Sequence, residues 1–147
     1  MLKFLNKFSI IILLCSCNLI AWSGDFYISS SGNGWPDLNA SINSGWKFGG
    51  AGNDAASGSA SKVLTLSCVA SPSNPGEIAA GTFYFRIIHK EGSAWHSWGG
   101  SGSDVAVTLN DPTATITHDA SSGNWSTNGS KTFSATAGKT YKILFKA

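Results

Sequence analysis

The stretch that decides the fold is GTFYFRIIH, Gly81–His89. Phe83, Phe85 and Ile87 fall at every second position, with Thr82, Tyr84 and Arg86 between them. Successive side chains of a strand point to opposite faces, so this run offers one apolar and one mostly polar face. The pattern recurs. Leu64, Leu66 and Cys68 alternate with Thr65 and Ser67, and Tyr141, Ile143 and Phe145 alternate with Lys142 and Leu144. Strands of this kind suit antiparallel sheets with one wet face.

Working outward, the remaining runs predict strands near Asp25–Ser29, Gly45–Phe48, Lys62–Val69, Asp104–Leu109, Thr113–Thr117, Gly129–Thr136 and Lys139–Lys146. No segment carries a convincing helical period. Breakers separate the runs: SPSNPGE (Ser71–Glu77) and NDP (Asn110–Pro112), where Pro fixes φ and Asn or Asp closes a turn. TAGKT (Thr136–Thr140) reads as a short hairpin loop, and Gly49–Ser61 as a long surface loop. The expected fold is all-β, an antiparallel β-sandwich of seven to eight strands in one domain, residues 24–147.

Residues 1–23 read differently. Lys3 and Lys7 precede an apolar run from Phe8 to Ile20, too short for a comfortable membrane span. That is the pattern of a secretory signal peptide, with small residues Ala21 and Ser23 before a cut after Ser23. The alternative is a lipoprotein cut before Cys17, in LCSC. Either route leads to a secreted or cell-surface protein. Without the leader, acidic and basic residues are equal in number, and the net charge of +2 belongs to Lys3 and Lys7. A neutral domain offers no basic patch for nucleic acid and suits a neutral ligand. Cys68 is then the single cysteine, expected as a small buried apolar residue with no base beside it.

AWHSWGGSGSD, Ala94–Asp104, admits three readings. A serine nucleophile turn wants small residues on both sides of Ser97, and Trp95 breaks that pattern. His89, His96 and His118 are expected to be surface or loop residues. GGSGSD resembles one turn of a calcium-binding β-roll, but such turns work only in tandem. A single incidental calcium ion on Asp104 or Asp54 is the most that this lettering allows. The third reading is a sugar-binding loop, in which an aromatic plane stacks on the apolar face of a pyranose. Trp35, Trp46, Trp95, Trp98 and Trp125 all read as loop or strand-end residues. Two of them are expected to be structural lids and the others ligand platforms.

Three pieces of sequence, in order, carry a family resemblance. They are FYISSSGNGW (Phe26–Trp35), GTFYFRIIHKEGSAWHSWGG (Gly81–Gly100) and TAGKTYKILFK (Thr136–Lys146). Together they resemble the starch-binding modules of SusE/SusF-type outer-membrane lipoproteins. The resemblance implies an immunoglobulin-like sandwich that binds α-glucan without catalysis. It also implies ligand-facing roles for Trp95, Trp98 and Arg86, and for Trp35. Trp46 and Trp125 complete the candidate binding set from the loop-tryptophan argument. No cofactor and no catalytic residue is expected, since Glu77 and Glu91 are the only glutamates and neither has an acid–base setting. The expected function is a secreted, non-catalytic module binding polysaccharide or oligosaccharide. The alternative is a structural or adhesive protein that binds itself or another surface protein.

Overall fold

The computed structural model describes residues 9–15, 25–36, 42–49, 61–91, 94–100, 102–110, 116–119 and 129–146. Its strands are β1 (Ser9–Cys15), β2 (Phe26–Ser30), β3 (Ser61–Cys68), β4 (Glu77–Ile78), β5 (Gly81–Glu91), β6 (Ala94–Gly99), β7 (Val105–Ala106), β8 (Thr117–Asp119), β9 (Lys131–Ala135) and β10 (Thr140–Lys146). They form a four-stranded sheet, β1-β10-β3-β4, and a six-stranded sheet, β7-β9-β5-β6-β8 with β2 also paired to β5. The chain is therefore all-β, with two sheets enclosing one core. Both sheets are mixed rather than purely antiparallel, because β1/β10, β3/β4 and β7/β9 run parallel. Ten strands among the described residues exceed the seven to eight expected. The additions are β1, inside the leader segment; β4, which starts on the last residue of the breaker SPSNPGE; and β6, inside the supposed loop.

The alternating runs behave as their period demands. Leu64, Leu66 and Cys68, then Phe83, Phe85 and Ile87, then Tyr141, Ile143 and Phe145 all face the core and are nearly closed to solvent. Aromatic rings join the two sheets across it. Phe145 of β10 packs on Phe26 of β2 at 5.4 Å between centroids and on Trp98 of β6 at 5.1 Å, and Tyr141 packs on Phe133 of β9 at 4.8 Å. Burying each such ring contributes about 1.5–3 kcal/mol before any geometric gain.

The expected strand Gly45–Phe48 is instead a single 3-10 turn, Ser44–Trp46, followed by one bridge from Lys47 to Tyr27. The local cause is a cap and a close approach. The Asn43 side chain accepts from the Gly45 amide at 3.0 Å, and Gly45 lies so near Pro75 that a Cβ there would come within 2.6 Å of the proline ring. The Asp25–Lys47 ion pair, 2.7 Å, ties this turn to the start of β2.

Candidate functional site

Ala94–Gly99 is strand β6, not a loop. The β5–β6 register sets Trp98 opposite Ile87 and Ser97 opposite Ile88. Trp98 is 1% exposed, its ring held between Phe26 and Phe145. It presents no face to a sugar. The expectation of Trp98 as a ligand platform is corrected for a plain reason: the strand continues through the residues read as loop, and the register turns this ring inward. Ser97 is buried in the middle of a strand, not exposed on a strained turn. Trp46 is also buried, at 6%, against the Gly32 backbone. Trp46 and Trp98 are thus two structural rings among the five tryptophans.

The glycines after Trp98 have a structural use as well. The Gly100 amide donates to the Gly129 carbonyl at 2.6 Å, and a Cβ on Gly129 would collide with the Ser103 backbone. The Asp104 carboxylate accepts from the Ser130 amide at 2.7 Å. GGSGSD is therefore a close backbone crossing, with Asp104 engaged in holding the entrance to β9. Asp54 lies outside the described residues. No group of three or more metal-ligating side chains occurs among the described residues.

His89 differs from its expected surface position. It is fully buried in β5, stacks on Phe26 at 4.4 Å, and its Nδ1 lies 2.9 Å from the Asp25 carbonyl. His96, in register with His89, is half-buried, with its ring 6.1 Å away. Arg86 is half-buried and alternates with the inward Phe85 and Ile87, so it belongs to the outer face of the six-stranded sheet. Arg86 and Trp98 therefore occupy opposite faces and do not converge. Trp95 is in β6 opposite Lys90. Trp125 lies outside the described residues.

Among the described residues, Trp35 is the tryptophan presented to solvent, 44% exposed. Its φ is 57°, in the left-handed region that a bulky side chain rarely adopts. The turn before it is over-determined. The Asn33 side chain accepts from the Ser30 amide at 2.9 Å and donates to the Ile28 carbonyl at 2.8 Å, and the Trp35 amide donates to the Ser30 carbonyl at 3.1 Å. Such support lets strain persist where a side chain must be aimed.

Ser31 and Gly32 of the same turn line a cavity of about 240 Å³, together with Pro72, Glu77, Thr82 and Phe83. That is below the ~300–1,000 Å³ typical of enclosed ligand pockets, so the space takes one small group at the surface. Glu77 is not poised for acid–base work. Its carboxylate accepts from the Ser73 and Asn74 amides at 2.9 and 3.0 Å and from the Asn74 side chain at 3.0 Å. These bonds, led by the Ser73 amide, hold it below the usual carboxylate range. A general acid needs the opposite shift.

Other polar groups are structural too. Cys68 is buried, and desolvation raises its thiol pKa, which makes it inert. Lys131 of β9 is nearly closed to solvent, and desolvation lowers its pKa. The sequence held no signal for Lys131, because a lysine in a strand normally marks the wet face. Comparison with protein-family models, curated proteins and solved structures gives no match.

Proposed function

We propose that this chain is a secreted or surface-exposed, non-catalytic carbohydrate-binding domain with an immunoglobulin-like sandwich. The ligand class is polysaccharide, with α-glucan first, as the likeness to starch-binding modules implies. The observation that carries this reading is Trp35. It is an exposed indole, held in a costly backbone conformation, on the turn that also lines the small cavity. An exposed indole offers stacking to a saccharide ring, and Ser31 and Thr82 of the nearby cavity offer hydroxyls. Tyr84 adds exposed aromatic surface across the strand pair, since the Ser31 amide donates to its carbonyl at 3.0 Å. An immunoglobulin-like sandwich is supported by the Tyr141 hydroxyl. It accepts from the Thr136 amide at 2.8 Å, like the tyrosine corner of such domains.

Secretion follows from the reading of residues 1–23 as a leader removed after Ser23. The alternative role, a structural or adhesive subunit, draws support from a different feature: the leader segment itself fills an edge of the four-stranded sheet.

Native electrophoresis through gels containing starch, glycogen, β-glucan, xylan or no polymer tests the reading. Retardation in the α-glucan gels that is lost in Trp35→Ala is the expected result. Equal mobility in every gel would end the carbohydrate reading.

A further inference from the structure

The edge strand of the four-stranded sheet, β1, lies wholly within the segment read as a leader. It runs parallel to β10 over seven residue pairs. The register sets Ile10, Ile12 and Leu14 opposite Tyr141, Ile143 and Phe145, the three inward residues of β10. Ile12 is completely buried and belongs to the core cluster. Removing residues 1–23 therefore takes away a sheet strand and a core side chain together. What remains is an unpaired row of backbone N–H and C=O groups along β10, above an apolar gap. Such an edge invites another strand.

We propose that β10 is a strand acceptor, and that processing opens it to an extended segment of another polypeptide. This rests on leader removal as put forward above. The leader segment reads out the chemistry of the occupant: extended, with Ile or Leu at the alternate positions that face the core, parallel to β10. β-Strand addition of this kind takes affinity from backbone hydrogen bonds and specificity from alternate side-chain pockets. A second copy of this chain is the poorer donor. Among the described residues after the leader, its alternating apolar runs are already built into β3, β5 and β10.

The outer face of β10 adds a preference. Lys142 alternates with the inward Tyr141 and Ile143, and the register places it opposite position 11, where the leader offers only Ile. A partner strand with an acidic residue at that position gains a cross-strand charge pair, so it binds more tightly than the leader sequence.

Intact mass of the exported protein comes first. A mass that includes residues 1–23 overturns the proposal through the reading it rests on, and leaves the acceptor geometry itself unchallenged. With processed protein, hydrogen exchange of the Thr140–Lys146 amides is followed while synthetic peptides of residues 8–16, carrying Cys15→Ser, are added. The expected result is slow exchange and a raised Tm with this peptide, and neither with its Ile12→Asp version. The Ile11→Glu version should bind up to about fivefold more tightly, the worth of one cross-strand charge pair. A processed chain that folds only when the peptide is present supports the acceptor equally. Since β10 also pairs with β3, the deciding amides are those of β10 that point away from β3. If these are already protected without peptide the proposal is overturned, and a doubled mass in sedimentation would then assign the edge to a second copy. Equal response to the Ile12→Asp peptide would also overturn it.

Discussion

Two Trp-bearing stretches with similar lettering have opposite fates. In AWHSWGG, Trp98 is 1% exposed and wedged between the sheets; in SGNGW, Trp35 is 44% exposed on a turn. Both lie among Gly and Ser, and composition does not separate them. The difference is register. Trp98 inherits its direction from a strand pair that continues through Ser97, whereas the Asn33 network ends β2 before Trp35 and turns the chain out. An aromatic residue near glycines is thus turned to solvent here where strand pairing has already stopped.

The contrast can be broken most forcefully at the buried ring. Trp98→Ala should cost about 3–5 kcal/mol, because it empties a site packed by Phe26 and Phe145. Urea unfolding reads this as a large drop in midpoint. The paired change, Trp35→Ala, should leave stability within about 0.5 kcal/mol, as for an exposed side chain without core contacts. If both variants unfold alike, the division into core ring and surface ring is wrong.

The next effect belongs to the backbone crossing that follows Trp98. A methyl group at Gly129 meets the Ser103 backbone, so Gly129→Ala should destabilise by about 1–3 kcal/mol through forced displacement. Gly34→Ala is the control on the Trp35 side. Its φ of 74° strains any Cβ but nothing lies near it, so only the conformational cost of about 1 kcal/mol applies. A crossing that tolerates Gly129→Ala better than the turn tolerates Gly34→Ala would contradict the close approach.

The smallest effect is electrostatic. Folding lowers the Glu77 pKa, so its contribution is present at neutral pH and is lost as pH falls through the folded-state value, below the ordinary glutamate range. In Tm measured against pH, Glu77→Gln should remove part of the acid-side slope and leave the alkaline side unchanged. An unaltered acid limb would show that the Ser73 and Asn74 bonds do not persist in solution.

Much of the core was legible. Gly81–His89, Lys62–Val69, Gly129–Thr136 and Lys139–Lys146 each lie within about two residues of an observed strand, and in all but Gly129–Thr136 the alternation selects residues that face inward. The short strands were not legible. Glu77–Ile78 lies in no expected strand, and of the expected run Asp104–Leu109 only Val105–Ala106 forms one; both exist because a longer neighbour supplies the ladder. The candidate site was harder still. Trp98 and His89 looked like loop and surface residues, because Gly, Ser and His score as turn formers or polar groups. Yet β5, an 11-residue strand, recruits both flanking pieces of chain.

The sequence by itself determined the β class, the position of the breakers and which residues of the alternating strands face inward, but not that TAGKT, read as a hairpin loop, carries the chain from one sheet to the other. Those properties follow from a two-residue period and the fixed φ of proline, both local. Only the tertiary structure decided the mixed pairing, the inward turn of Trp98, the burial of His89 and the outward aim of Trp35. Each of these depends on which strand lies alongside, and that is set by contacts between residues distant in the chain.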